Sequence, residues 1–159
     1  MSYATLKSKI EQMIEKIQSG GNTDNADFIA LIERTATEVT IPNGITKIGN
    51  YLFYNYADLV TADIPDTVTE IGAGAYRMCR KLELTEIPAS VKTIGLYSFG
   101  GCTSLTEITF KGTPTSLNAN IFTDSTNLTV INVPWAEGEV ANAPWAATNA
   151  TINYNYTGV

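Results

Sequence analysis

The sequence has no histidine, only two cysteines and few charged residues. Without histidine the chain cannot build a Ser-His-Asp triad, a Cys-His pair or an imidazole metal site. Charged residues make up 16% of the chain, below the usual ~25%. Only 10 residues are Lys or Arg against 16 Asp or Glu, whereas nucleic-acid binding requires a basic footprint. Because catalytic and phosphate-binding motifs are also missing from the sequence, we expect a non-catalytic protein with no cofactor, no bound metal and no nucleic-acid partner.

Long apolar runs are missing as well. No stretch approaches the roughly 18 apolar residues of a membrane span, and charges interrupt every short apolar stretch of residues 1–20. We therefore expect no membrane insertion and no secretion by the common route. A chain that acts outside a cell would then arrive within a larger assembly or be a fragment. Its 159 residues, 44% of them hydrophobic, fit one packed domain.

What the sequence does contain is a repeat of 23 residues. Apolar anchor residues recur at this interval, and four of the five precede a proline; they are Ile41, Ile64, Ile87, Phe110 and Val133. The segment before each anchor alternates polar and apolar residues, as a strand with one buried face does, and proline then ends the strand. Five anchors on one lattice predict stacked coils, in which equivalent side chains form ladders.

Other columns follow the same lattice. Counting the anchor as position one, position nine is glycine in three coils, which indicates a tight bend or close approach of neighbouring backbones. Position thirteen is aromatic, and position sixteen carries two cysteines, a spacing typical of one turn of α- or 3₁₀-helix. The columns contain Gly49, Gly72 and Gly95, then Phe53, Tyr76, Phe99 and Phe122, then Cys79 and Cys102.

The run IPDTVTEIGAGAYRMCRKLELTEIPASVKTIGLYSFGGCTSLTEITF resembles the leucine-rich repeats of the BspA type, and the resemblance covers about residues 36–134. It implies a repeat solenoid, a short right-handed coil with one parallel β-sheet face, and binding rather than catalysis. The coil TPTSLNANIFTDSTNL departs from the pattern, because it lacks the glycine at position nine and the cysteine at position sixteen.

Segments outside the repeat have their own patterns. We predict a helix over residues 1–18, a linker over 19–25, a capping helix over 26–35, the repeats over 36–134 and an irregular, partly stranded cap over 135–159. The first helix carries a heptad stripe of Tyr3, Leu6, Ile10, Met13 and Ile17. Isoleucine-rich core positions favour trimers, so we expect a homo-oligomer, and a trimer before a dimer.

In a small solenoid the sheet face is the usual binding surface, so we take the outward positions of the predicted strands as candidate ligand-binding residues. They are Glu38, Thr40, Thr61, Asp63, Leu84, Glu86, Glu107, Thr109, Val130 and Asn132. Asp63 and Glu86 occupy one column, and two carboxylates suffice for glycoside hydrolysis. The simpler interpretation of this pair is a solvated strand face.

Two groups of residues keep two interpretations each. Trp135, Trp145, Tyr154 and Tyr156 either cover the last coil or present an aromatic surface for carbohydrate stacking. Cys79 and Cys102 are neighbours in one column, at a spacing of roughly 5 Å between coils. A disulfide is therefore geometrically possible, although we favour two buried thiols.

The segments LIERTATEVTIPNGITKIG and INVPWAEGEVANAPWAATNATINYNYTG are similar to segments of phage- or prophage-encoded proteins from gut bacteria that carry these repeats. This similarity implies an interaction or adhesion module of a virion assembled in the host cytoplasm. Its partners would be other virion proteins or a host surface protein or glycan. The alternative is a fragment of a bacterial cell-surface adhesin, and a carbohydrate-active enzyme is the third hypothesis.

Overall fold

A computed structural model of the protein describes residues 34–41 and 43–158. The heptad helix, the linker and most of the predicted capping helix lie outside these residues. Of the predicted capping segment, the structure describes only Arg34, in a turn, and Thr35, in irregular backbone.

The described residues form a solenoid of parallel strands, as predicted. Six short strands stack along the front face: β1 (Glu38–Thr40), β3 (Thr61–Asp63), β5 (Glu86–Ile87), β7 (Glu107–Phe110), β9 (Val130–Asn132) and β10 (Thr151–Asn153). The pairs among the first five of these strands follow the 23-residue lattice, so that Glu38 lies opposite Thr61 and Glu107 lies opposite Val130. The last pair has an interval of 21 residues, with Thr151 opposite Val130. Strand β10 continues the stack beyond the last anchor, where the sequence predicted a terminal strand.

A second sheet, which the sequence did not predict, runs along the back face. It consists of β2 (Lys47–Ile48), β4 (Glu70–Ile71), β6 (Thr93–Ile94) and β8 (Ser116–Leu117), all parallel. Each strand has only two residues and buries the second one, which leaves too short a pattern for alternation to be recognised in the sequence.

The core between the two sheets is a set of ladders. Phe53, Tyr76, Phe99 and Phe122 stack ring on ring, with centroids 5.2, 5.4 and 5.9 Å apart. Leucines at position nineteen form a second ladder, and Leu59, Leu82 and Leu128 are fully buried. Equivalent apolar residues thus pack on one another, as the lattice requires.

The segments between back and front sheets are consecutive tight turns, where the sequence predicted a turn of helix. Backbone N–H groups donate to the carbonyl three residues earlier, as from Tyr56 to Phe53 at 3.2 Å and from Cys79 to Tyr76 at 3.1 Å. Left-handed residues such as Asn55 and Met78 lie within these turns and prevent a continuous helix.

Candidate binding surface

The front sheet brings the predicted candidates into two outward columns. Glu38, Thr61 and Glu107 belong to one column, and Thr40, Asp63, Glu86 and Thr109 belong to the other; all are exposed except Thr109, which is half-buried, as is Val130. Strand pairing holds Thr40 beside Asp63 and Glu86 beside Thr109. Two of the ten candidates, Leu84 and Asn132, are buried and therefore do not belong to an outward surface.

Leu84 faces the core because the third coil shifts its alternation by one residue. The second coil buries Leu59 and Ala62 before its anchor, whereas the third coil buries Leu82 and Leu84 and exposes Thr85. Burying leucine is worth about 1.5–3 kcal/mol, while a buried threonine hydroxyl would need a partner. The outward assignment of Leu84 is therefore wrong, and the pattern LELTEI carries the signal, since leucine stands where three of the other four coils are polar.

Asn132 is buried by side-chain hydrogen bonds along its column. Its Nδ2 donates to Glu107 Oε1 at 2.6 Å and to Thr109 Oγ1 at 3.1 Å, and its Oδ1 accepts from Asn153 Nδ2 at 2.7 Å. Only 1% of Asn132 is exposed. The amide therefore ties three coils together and satisfies their polar groups, which is a structural role.

The shift at Leu84 interrupts the front sheet. Strands β1 and β3 form one sheet and β5, β7, β9 and β10 another, with Glu83 N donating to Val60 O at 2.9 Å across the gap. The interruption leaves a groove of about 330 Å³, which we call the front-sheet groove. Its polar lining consists of Thr61, Asp63, Asp66, Glu83, Thr85, Glu86 and Lys111. Sequence reasoning missed Asp66, Glu83, Thr85 and Lys111.

Charge in the front-sheet groove is mostly negative. Lys111 Nζ lies 2.8 Å from Glu86 Oε1, in an exposed ion pair. The other ion pairs among the described residues, Lys47–Glu70 and Lys81–Asp58, lie outside the groove lining. Asp63, Asp66 and Glu83 are thus left without a cation within ion-pair distance in the part of the chain that the structure describes. The surface is suited to a partner that presents cationic or hydrogen-bond-donating groups.

The tryptophans do not form an aromatic surface. Trp135 is 3% exposed and Trp145 is fully buried, and their rings lie 6.1 Å apart, edge to face, against Phe110. Trp145 Nε1 donates to Ala141 O at 2.9 Å, so its one polar atom is satisfied. The stacking interpretation therefore fails for both residues, because covering the last coil buries them.

The two C-terminal tyrosines differ in their exposure to solvent. Tyr154 packs partly buried against the core, and Tyr156 is 37% exposed.

Both cysteines are free thiols in the core. Cys79 Sγ donates to Phe53 O at 3.0 Å and Cys102 Sγ donates to Tyr76 O at 3.2 Å, each reaching back 26 residues. Burial raises the pKa of both thiols, to about 12 for Cys79. In the irregular fourth coil Ser125 replaces cysteine and donates to Phe99 O at 2.6 Å. Position sixteen is therefore a hydrogen-bonding column, and serine keeps its role.

Residues 34–41 and 43–158 contain neither a cluster of candidate metal ligands nor a membrane-spanning helix. No group of three or more His, Cys, Asp or Glu side chains converges to hold an ion there. Nor does that part of the chain contain a helix long and apolar enough to cross a membrane. The predicted oligomerisation residues Tyr3, Leu6, Ile10, Met13 and Ile17 lie outside the described residues.

Comparison with known proteins places this geometry in context. A family profile described as BspA type leucine rich repeat region, with six copies, matches residues 31–143. No curated protein sequence matches the chain.

Solved structures of bacterial proteins share the fold. A leucine-rich repeat protein from Bacteroides ovatus is 26% identical with a TM-score of 0.66, over 76% of this chain and 30% of its own. A leucine rich cell surface protein from Faecalibacterium prausnitzii is 28% identical with a TM-score of 0.60, over 77% and 33%. A leucine rich repeat protein from T. pallidum is 23% identical with a TM-score of 0.62, over 77% and 57%. The chain thus spans about a third to just over half of these proteins.

Proposed function

Because the chain belongs to the BspA-type leucine-rich repeat family, we propose that it is a non-catalytic interaction module that binds a protein or glycan through its front sheet. The observation that carries this proposal is the front-sheet groove, where Asp63, Asp66 and Glu83 are left without an ion pair among the described residues. A volume of about 330 Å³ fits one large side chain or a sugar ring rather than an extended ligand. The groove would therefore act as one anchor within a wider contact along the exposed columns.

The enzyme hypothesis has less support. Asp63 and Glu86 lie in a groove open to solvent, and Glu86 is engaged by Lys111 at 2.8 Å. Glycoside hydrolysis uses one carboxyl group that stays protonated until it acts as the general acid. Burial in an apolar environment is what normally raises the pKa of such a group far enough. Neither carboxyl group is buried.

Two sites of action remain as candidates. The bacterial cell surface is supported by the similar protein from Faecalibacterium prausnitzii, which is described as a cell surface protein. The virion is supported by the similarity of residues 31–49 and 131–158 to segments of phage- or prophage-encoded proteins. Immunoblotting distinguishes the two sites of action. It is applied to protease-treated intact cells and to gradient-purified virions from a producing strain. Loss of the band from treated cells supports the surface, and a band that co-purifies with virions supports the particle.

Capture of the partner tests the binding face. Immobilised protein is exposed to detergent-solubilised envelope and to disassembled virions, and retained proteins are quantified by mass spectrometry. Asp63→Lys reverses one charge in the groove, and Glu137→Lys makes the same change at an exposed position outside the groove lining. We expect a protein retained by wild type and Glu137→Lys and lost with Asp63→Lys. Equal retention by all three forms would exclude the groove as the anchor.

Self-association through residues 1–18 is the further part of this proposal. We expect a mass near three times 17.2 kDa by light scattering for the wild type, reduced in an Ile10→Asp variant. A monomeric wild-type protein would contradict it.

A further inference from the structure

The turns that lead from the back sheet to the front sheet carry outward tyrosines in the first and third coils. Tyr51 is 55% exposed and Tyr54 is 38% exposed, and their rings meet edge to face with centroids 6.1 Å apart. Tyr97 occupies the column of Tyr51 two coils further along and is half-buried. These rings do not belong to the core, since the stacked rings of position thirteen fill it and are buried.

Contacts between coils join these rings into one strip. The ring of Tyr51 lies so close to Gly74 of the second coil that a Cβ on this glycine would overlap the ring. The guanidinium of Arg77, also in the second coil, lies over the ring of Tyr97 in the third, 5.1 Å from its centroid. This cation–π contact orders the guanidinium at the surface. Together with two exposed neighbours the strip forms the tyrosine–arginine face, which consists of Tyr51, Tyr54, Arg77, Arg80, Leu96 and Tyr97.

The tyrosine–arginine face has the opposite charge to the chain as a whole. Its turns, residues 50–57, 73–80 and 96–103, contain two arginines and no Asp or Glu, although the chain has a net charge of −6. Neither Arg77 nor Arg80 forms an ion pair among the described residues. Two guanidinium groups are thus available to carboxylates, which guanidinium can bind through two parallel hydrogen bonds.

The composition of the tyrosine–arginine face favours a protein partner over a glycan. Tyrosine and arginine are enriched where proteins bind one another, because a rigid ring buries a large area at little entropic cost. Leu96 lies beside Tyr97 and is 38% exposed. An exposed aliphatic side chain suits the apolar side chains of a protein better than the hydroxyl groups of a sugar.

We propose that the tyrosine–arginine face binds an acidic protein segment, with Asp or Glu side chains at Arg77 and Arg80 and apolar side chains against Tyr51 and Tyr97. None of these four residues lines the front-sheet groove, whose charge suits cationic groups instead. The two surfaces therefore select partners of opposite charge. The inference does not depend on whether the front sheet binds a partner.

Selection from a displayed library of random peptides tests the proposal without a known partner. Immobilised wild-type protein serves as bait, and enriched peptides are sequenced, synthesised with a fluorophore and titrated by fluorescence anisotropy. We expect an enriched class that combines Asp or Glu with apolar residues. The affinity of this class should fall as salt is added, because exposed charges are screened.

Charge-reversal variants locate the site of the acidic peptides. Arg77→Glu and Arg80→Glu should each weaken their binding at least about tenfold, since an attraction becomes a repulsion. Lys92→Glu makes the same change at an exposed position outside the face and should weaken it less than about threefold. Circular dichroism checks that each variant is folded. Arg80 is exposed, so Arg80→Glu decides the result if Arg77→Glu does not fold.

Two further measurements separate the alternatives. Asp63→Lys, in the front-sheet groove, should still bind the acidic peptides, and loss of binding would move their site to that groove. Polygalacturonate, an acidic polysaccharide, should bind the wild type more weakly than the selected peptides. If polygalacturonate binds and is lost with Arg80→Glu while no acidic peptide is enriched, the face binds glycans and the proposal fails. It also fails if no acidic class is enriched, or if Arg80→Glu and Lys92→Glu have equal effects.

Discussion

The glycine column at position nine gives the sharpest prediction about how the coils stack. A Cβ built on Gly95 would lie 2.6 Å from Ala73 N and 2.9 Å from Ala73 Cα, in the coil before it. A Cβ on Gly49, the same position of the first coil, would meet nothing within 4 Å. Neither glycine has a positive φ, so backbone conformation does not distinguish them. The two glycines differ only in the close approach of the preceding coil to Gly95.

The expected cost follows from this approach. The Cβ of alanine at Gly95 would be about 0.8 Å inside ordinary van der Waals contact with backbone. The two coils cannot separate freely, because Gly95 N donates to Ile71 O at 2.9 Å. Overpacking of this kind costs typically about 1–3 kcal/mol, and a backbone obstacle favours the upper half of that range. In Gly49→Ala the loss of unfolded-state entropy should instead stabilise the protein by about 0.4–1 kcal/mol.

Thermal and denaturant unfolding of the two variants, followed by circular dichroism, measures the difference. We expect Gly95→Ala to lower Tm by about 5–10 °C and Gly49→Ala to leave it unchanged or slightly raised, since 1 kcal/mol shifts Tm by about 2–4 °C at this size. A Gly95→Ala protein as stable as wild type would refute the close approach of the coils. Equal losses in both variants would show that the cost does not come from contact between coils.

Three further predictions concern buried side chains. Leu84→Ala should lower the free energy of unfolding by about 2–4 kcal/mol, whereas Thr61→Ala, at the same position of the second coil, should change it by less than about 0.5 kcal/mol. Similar losses of stability in the two variants would contradict the burial of Leu84. Tyr76→Phe should raise the free energy of unfolding by about 1 kcal/mol, because the buried Tyr76 hydroxyl has no hydrogen-bond partner among the described residues. Destabilisation by this substitution would show that the hydroxyl has a partner. Cys79 and Cys102 should resist iodoacetamide at pH 8 in the folded protein, since burial keeps the thiols protonated. Both should react once the protein is unfolded in denaturant, without added reductant. Labelling of the folded protein, or a denatured protein that does not react, would contradict free buried thiols.

The sequence predicts most of the fold because a solenoid repeats one local solution. The anchors Ile41 to Val133 place the front strands, and the aromatic column at position thirteen predicts the ring stack that the structure contains. The lattice is informative because the same residue type recurs at each position in several coils, so one irregular coil does not hide the pattern. The back sheet escapes notice because its two-residue strands are too short to show a period.

The candidate surface is harder to predict, because it depends on departures from the repeat. Leu84 was assigned outward by column arithmetic, but side-chain burial outweighs the lattice and moves it inward. That shift opens the front-sheet groove and brings in Glu83 and Thr85, which column counting leaves out. Column counting also places Asn132 outward, yet hydrogen bonds with neighbouring coils bury it. The sequence of one coil decides the first case, and contacts between coils decide the second.

Photo-crosslinking in a bacterium that produces the chain tests directly whether the front sheet is the face that contacts a partner. A photoreactive amino acid is placed either at Asp63, in the front-sheet groove, or at Ser116, an exposed residue of the back sheet. Cells and released virions are irradiated, and adducts of the chain are detected by immunoblotting and identified by mass spectrometry. We expect an adduct with a second protein or a glycan from position 63 and none from position 116. Adducts from position 116 alone, equal adducts from both positions, or none from position 63 would contradict it.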